Sequence, residues 1–138
     1  MHDYPWVEEI QVRWKDVDAF HHVNHAVSIS YLEIARANFW RERMGGLGPM
    51  DIPFVIAHLN IDYKRPIHLY DRVRVGMGMG GIKRTSFSFV YEIEAEGRTA
   101  VEAETVQVCI NHESGRAVRV PEQLALKLVE ELGGMVEV

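Results

Sequence analysis

Apolar and polar residues alternate with two different periods along this chain, and the two periods predict its elements. Between Val7 and Trp14, apolar residues stand among charged neighbours in the loose alternation of a half-buried strand. From Ala26 to about Met44 they recur at helical spacing, which predicts one long helix that stops at Gly45-Gly46. Because the apolar face of this helix is wide, we expect a sheet to wrap around it.

The rest of the chain predicts four consecutive strands and a short helix. Residues 85–95 alternate, and Glu96-Gly97 then predicts a tight turn into the next strand. Leucines at spacing four after Pro121 predict the terminal helix. The predicted fold is α+β, with one domain over residues 1–138. The strands span 54–63, 72–79, 85–95 and 98–111, and the helix spans 121–132.

Composition narrows the class of protein. The chain has 138 residues, of which 47% are hydrophobic, so it is long enough for one ordinary globular core. The net charge of −5 argues against general nucleic-acid binding, which relies on Lys and Arg to neutralise many phosphates. Cys109 is the single cysteine, and we interpret it as a strand residue. With no signal-like segment and no membrane span, we expect a cytoplasmic protein.

A dense polar cluster precedes the long helix. Its residues exceed what helix capping needs. Backbone N–H groups at a helix start can polarise a carbonyl oxygen while an adjacent Asp activates water or attacks the carbonyl carbon. The cluster therefore predicts carboxylate chemistry. It contains Asp16, Asp18, His21, His22, Asn24 and His25.

Two other kinds of site fit the cluster less well. His21 and His25 stand four residues apart, as zinc ligands on a helix do, but the run lacks the glutamate of H-E-x-x-H and has no second ligand cluster. A serine nucleophile is also disfavoured, because the chain has no G-x-S-x-G elbow.

Two stretches of this sequence resemble a known family. The first is DVDAFHHVNHAVSISYLEIAR, which follows the pattern D-x-D-A-x-x-H-V-N-H-A and then Y-L-E-x-A-R. The second is DYKRPIHLYDRVRV, which contains Y-x-x-P-x-x-x-x-D. The chain resembles, over nearly its full length, the hot-dog fold acyl-CoA thioesterases of the 4-hydroxybenzoyl-CoA thioesterase-like group. The resemblance implies a curved antiparallel sheet around one long helix.

The resemblance implies roles for the residues of the cluster. The second acid of the D-x-D pair, Asp18, corresponds to the catalytic general base or nucleophile, and Asp16 to a structural residue. His25 stands where the Tol-Pal-associated branch carries a catalytic histidine. Asn24 is similar to the asparagine of the long-chain acyl-CoA thioesterase branch, so that His25 or Asn24 would position the reactants.

The same resemblance implies an oxyanion site made by the backbone near His22 and Val23. Many members of the family carry glycine where this chain has Phe20 or His21. A side chain at that point is expected to narrow the pocket or to add a polar group to it.

Coenzyme A carries several phosphates, so an acidic protein needs a local basic surface to bind it. By resemblance, Lys83 and Arg84, in the segment GIKRTSF, contact those phosphates, with Ser86 assisting. Lys64 and Arg65 are a second candidate patch, although a solvated turn before a proline also explains them. The resemblance implies no metal or other cofactor, since the coenzyme A thioester is the substrate.

The family also implies an assembly. Two protomers join their sheets edge to edge, which removes the hazard of unpaired strand edges, and the active sites lie at the dimer interface. Many members pair two dimers, so a homotetramer is expected.

The sequence therefore predicts an acyl-CoA thioesterase that hydrolyses an aliphatic or aromatic acyl-CoA. One alternative is a hot-dog hydratase or dehydratase, for which Asp16 and His21 have the required spacing but not the surrounding motif. Another is a binding domain that holds acyl-CoA without chemistry.

Overall fold

The computed structural model describes residues 3–45 and 54–133. A five-residue strand comes first, followed by a 3₁₀ turn over Trp14–Asp16 and the long helix. Four strands and a second helix follow, in the order that the sequence predicts. The elements are β1 (Trp6–Ile10), α1 (His25–Arg43), β2 (Phe54–Tyr63), β3 (Val73–Ile82), β4 (Ser86–Ala95), β5 (Arg98–Cys109) and α2 (Glu122–Leu132).

The five strands form one antiparallel sheet in the order β1-β3-β4-β5-β2. β4 and β5 are joined by the predicted tight turn, in which Glu96 and Gly97 both have positive φ, 51° and 76°. That pair of conformations matches the twist of a two-residue hairpin. β1 and β2 are the two edges of the sheet.

The core lies between α1 and the face of the sheet that it covers. Phe39 of α1 is fully buried and contacts Phe89 of β4 edge-to-face, with ring centroids 6.2 Å apart. Trp6 of β1 meets the same Phe39 ring at 5.8 Å. Burying one such ring contributes about 1.5–3 kcal/mol, so this aromatic cluster fixes α1 against the sheet.

The packing confirms the predicted hot-dog arrangement of one long helix against an antiparallel sheet. α1 begins one residue before the predicted start, and Met44 is its C-cap. The predicted leucines of α2, at positions 124, 128 and 132, are all buried. Cys109 is the buried last residue of β5, as expected. Neither helix among the described residues is long and apolar enough to cross a membrane.

The first predicted strand was too long. It was expected to reach Trp14, but β1 ends at Ile10. The backbone N–H of Arg13 donates to the Asp16 carboxylate at 2.9 Å, and Asp16 N–H donates back to the Arg13 carbonyl at 2.9 Å. These local bonds turn the chain away from the sheet. The predicted stop at Gly46 lies outside the described residues, and the single domain over 1–138 stays a prediction.

Candidate active site

One cleft of about 610 Å³ opens beside the start of α1. The loop before the helix forms one wall, and the end of β2 with the residues after it forms the other. Val101 of β5 and the buried Ser28 of α1 lie deeper. The lining residues are Asp18, His22, Val23, Asn24, His25, Ser28, Tyr63, Lys64, Arg65, Pro66, Ile67 and Val101.

Asp16 anchors the loop beneath this cleft. Its carboxylate is 1% exposed and accepts a hydrogen bond from the Tyr31 hydroxyl of α1 at 2.8 Å. Burial acts to raise the pKa of Asp16, but the bonds from Arg13 and Tyr31 and the Arg13 guanidinium lower that pKa further, so the net direction is down. Asp16 is an ionised, fully used acceptor, which fits the structural role that the resemblance implies.

Asp18 stands two residues later and is exposed to the cleft. Its Oδ1 accepts the backbone N–H of Phe20 at 2.8 Å and that of His22 at 3.2 Å. These bonds, with the one from Phe20 largest, hold the pKa of Asp18 below its ordinary value. Since both donors bind Oδ1, neither of them engages the second oxygen, Oδ2. The loop therefore holds the carboxylate ionised and leaves one oxygen for a substrate or a water.

The backbone near His22 and Val23 was predicted to hold the thioester oxygen. In the structure, Val23 N–H donates to the Ile67 carbonyl at 2.7 Å, and His22 N–H donates to Asp18. Both donors are in use, which argues against the predicted oxyanion role of these two residues. The short bridge between this loop and the Ile67 segment, which packs the cleft walls together, is the physical reason.

The first N–H of α1 belongs to His25. Among the described residues no acceptor pairs with it, as expected for the first turn of a helix. Ala26 N–H is different, because the Asn24 side chain caps it at 2.8 Å. Asn24 is thus the N-cap of α1, and its side-chain oxygen is engaged in that bond.

The imidazole of His25 lies in the cleft against Tyr63. The two rings are stacked with centroids 4.0 Å apart and planes 22° apart. The Tyr63 hydroxyl also donates to the His25 carbonyl at 2.9 Å. Tyr63 had no assigned role in the sequence, although it is the tyrosine of the Y-x-x-P pattern, because only the fold brings the end of β2 to the start of α1.

His21 points away from this chemistry. Its backbone has φ of +63°, a conformation that glycine adopts without strain, and its ring meets Trp14 edge-to-face at 5.9 Å. His21 and His25 do not share a helical face, since His21 precedes the helix. The hydratase alternative relied on Asp16 and His21 acting as a pair. Neither residue lines the cleft.

Two histidines meet at the rim of the cleft. His22 and His68 form an isolated β-bridge, and their rings lie edge-to-face at 4.9 Å. Asp71 accepts the His68 N–H at 2.8 Å and lies 3.5 Å from the His68 imidazole Nδ1. This contact holds the 67–71 segment against the loop that carries Asp18.

The two candidate basic patches lie at opposite ends of the sheet. Lys64 and Arg65 line the cleft, where Arg65 donates to the Thr99 carbonyl at 2.9 Å. Along β5, Val108, which is opposite Ser86, lies seven positions after Val101 in the cleft, a distance of roughly 23 Å at the usual rise per residue. Lys83, Arg84 and Ser86 therefore do not reach the cleft of their own chain.

Comparison with known proteins defines the class. A model of the thioesterase-like superfamily matches residues 12–128, and the chain belongs to that superfamily. The long-chain acyl-CoA thioesterase FadM of Escherichia coli strain K12 is 29% identical over 124 residues, covering 87% of this chain and 94% of that protein. The 1,4-dihydroxy-2-naphthoyl-CoA hydrolase of Synechococcus elongatus is 25% identical over 103 residues, covering 75% of this chain and 71% of that one.

A solved structure extends the likeness to the whole fold. The thioesterase of Thermus thermophilus, complexed with coenzyme A and Zn, is 31% identical, with a TM-score of 0.88 over 99% of this chain and 100% of that one. In residues 3–45 and 54–133 of the present chain, no three His, Cys, Asp or Glu side chains come together as a metal site would require.

Proposed function

We propose that this protein is an acyl-CoA thioesterase that hydrolyses an acyl-CoA to the free acid and coenzyme A. The observation that carries the proposal is Asp18: a carboxylate of lowered pKa that lines a cleft beside a helix start and whose two loop donors share one oxygen, in a chain of the thioesterase-like superfamily. The relatives named for acyl-CoA substrates and the coenzyme A complex of the Thermus protein support the substrate class.

The proposed reaction uses the free N–H of His25 and the Asp18 carboxylate together. The thioester oxygen accepts a hydrogen bond from the His25 N–H, where the α1 dipole also favours developing negative charge. Asp18 Oδ2 then either takes a proton from the attacking water or attacks the carbonyl carbon to form a mixed anhydride that water cleaves. In both routes the carbon–sulfur bond breaks and coenzyme A leaves as a thiolate that acquires a proton.

The His25 imidazole and Asn24 occupy supporting positions in this proposal. Asn24 caps α1 through the Ala26 N–H and so stabilises the start of the helix, where the unpaired N–H of His25 lies. The imidazole of His25 lies in the same cleft as Asp18 and is the candidate to orient water or to protonate the leaving thiolate.

We further propose that two copies pair along β2. This strand is a sheet edge, and its side chains are mostly exposed, including Val55 at 43% and Ile56 at 42%. Apolar side chains on an open edge favour pairing with another strand. Whether such dimers pair again into a homotetramer, and whether the protein is cytoplasmic, remain predictions.

Antiparallel pairing of β2 with its copy also gives a role to Lys83, Arg84 and Ser86, the candidate basic patch that lies outside the cleft of its own chain. Phe54, at the start of β2, is opposite Cys109, near Val108 and hence near Ser86. In the pair, the start of the partner's β2 lies beside Tyr63. The partner's Lys83-to-Ser86 turn then approaches the cleft that holds Lys64 and Arg65, and these two basic groups together bind the coenzyme A phosphates.

The test is release of free coenzyme A thiol from short-chain, long-chain and aromatic acyl-CoAs. Asp18→Asn retains an oxygen for the N–H groups of Phe20 and His22 but removes the charge, so we expect kcat to fall by about 100-fold or more. Glu122→Gln, an exposed carboxylate-to-amide substitution on α2, away from the cleft lining and from β2, is the matched control. The pKa of Asp18 is lowered, so its carboxylate stays ionised at pH values below the ordinary Asp pKa of about 3.9. We therefore expect activity to persist below that pH.

Wild-type activity in Asp18→Asn would exclude the proposed chemistry. Hydration of an enoyl-CoA without thiol release would instead establish the hydratase alternative, and binding of acyl-CoA without turnover on any substrate would establish the binding domain.

A further inference from the structure

The ring that covers His25 belongs to a residue with no part in the chemistry above. Tyr63 is the last residue of β2, and it contacts His25 in two independent ways. Its ring is stacked on the imidazole at 4.0 Å, and its hydroxyl donates to the His25 backbone carbonyl at 2.9 Å, across 38 positions of sequence. One side chain therefore holds both the ring and the peptide group of a single residue.

This double contact restricts a side chain that would otherwise be mobile. His25 is exposed and is the first residue of α1, so no neighbour on the preceding turn of helix limits its rotamers. Contact with the flat face of Tyr63 excludes the rotamers that would turn the imidazole into that ring. The hydroxyl bond fixes the peptide from which the imidazole projects.

We propose that Tyr63 is a positioning residue, which fixes the imidazole of His25 in the cleft before acyl-CoA binds. The inference deepens the proposed function and rests on it for the role of His25. A group held at its working position loses less freedom in the transition state, so the contribution of Tyr63 is to kcat more than to substrate binding. Burial raises the pKa of Tyr63, which keeps its hydroxyl protonated and able to donate across the neutral range.

Two substitutions separate the parts of the contact. Tyr63→Phe keeps the stacked ring and removes the hydroxyl, whereas Tyr63→Leu removes both. We expect Tyr63→Leu to lower kcat about ten-fold or more with little change in KM, and Tyr63→Phe to recover most of that loss. Equal losses in the two variants would overturn the role of the stacked ring, and an unchanged kcat in Tyr63→Leu would overturn the proposal altogether.

The decisive measurement repeats Tyr63→Leu in a His25→Ala background. A residue that acts only through His25 has no further effect on kcat once the imidazole is gone, so the two losses do not multiply. If Tyr63→Leu lowers kcat by the same factor in both backgrounds, its role is merely structural and the inference fails. Full activity of His25→Ala would overturn it as well.

Nuclear magnetic resonance of the labelled histidines gives a readout besides activity. A ring stacked at 4.0 Å moves the His25 ring protons upfield, and His25→Gln identifies their signals among the seven histidines. We expect Tyr63→Phe to keep that shift and Tyr63→Leu to lose it; a shift that survives in Tyr63→Leu would overturn the contact. If Asp18→Asn is inactive and Tyr63→Leu is fully active, the role of Tyr63 is refuted and the proposed function stands. If the wild type hydrolyses no acyl-CoA, the proposed function is refuted, and the role of Tyr63 with it.

Discussion

Replacing Asp16 by alanine would test whether the loop under the cleft is held by one buried carboxylate. The substitution removes the acceptor of the Tyr31 hydroxyl, which lies 2.8 Å away in a residue that is only 2% exposed. A buried donor left without a partner costs about 1–3 kcal/mol. The Arg13 guanidinium reaches solvent, since that side chain is 61% exposed, so the loss of its bond adds only about 0.5–1 kcal/mol.

Asp16→Ala is therefore expected to lower the free energy of unfolding by about 1.5–4 kcal/mol. Tyr31→Phe, which leaves the carboxylate its Arg13 bonds, should lower it by about 1.5–2 kcal/mol. The double variant has no orphaned hydroxyl and should be more stable than the sum of the single losses implies, by about 1–2 kcal/mol.

The assay is urea unfolding of the four proteins at one protein concentration, because assembly makes apparent stability depend on concentration. An Asp16→Ala loss below about 0.5 kcal/mol, or strict additivity in the double variant, would refute the reasoning.

The same bond has a pH signature with a definite sign. The folded pKa of Asp16 is lowered, so the stability from its ionised form is fully present above the unfolded value of about 3.9. It is lost as pH falls from there through the folded pKa. The difference between wild type and Asp16→Ala should therefore be constant above about pH 5 and shrink in more acid solution. A difference that grows as pH falls would contradict the assignment.

Two further predictions concern the loop and the sheet edge. His21→Gly removes the left-handed strain at φ +63° and should raise the free energy of unfolding by roughly 0.5–1 kcal/mol. His22→Gly is the control: the φ of His22 is not positive, so this variant should lower the free energy of unfolding. Destabilisation by His21→Gly would refute this interpretation. Val55→Lys on β2 should halve the mass measured by light scattering, while Leu126→Lys, on the exposed face of α2, should not change it; a monomeric wild type would exclude the β2 interface.

Elements with strong local periodicity could be predicted from the sequence. The β4–β5 hairpin is predicted by the alternation in 85–95 and by the Glu96-Gly97 turn. Both are local signals, because they depend only on residues that are close together in the sequence. The end of β1 could not be predicted in this way. Apolar spacing continues to Trp14, but the Asp16 carboxylate competes with the sheet for the Arg13 N–H. A side-chain acceptor that turns the backbone has no periodic signature.

The sequence predicted which residues of the loop lie at the candidate site, but not which contacts they make. The acids at 16 and 18 were assigned different roles by resemblance, and the structure gives a physical difference between them. The choice between basic patches was not predictable, because it depends on which strand ends meet. Lys64 and Arg65 reach the cleft only since β2 ends beside the start of α1. Tyr63 was missed for the same reason.

The two acids of the D-x-D pair, Asp16 and Asp18, are two residues apart and yet have different surroundings. Both have a lowered pKa, and in both hydrogen bonds lower it. For Asp16 the donors occupy both oxygens, and the side chain is buried. For Asp18, which lines the cleft, the donors from Phe20 and His22 share one oxygen. The incomplete set of donors at Asp18 is the physical basis of the reactive role that we propose for this carboxylate.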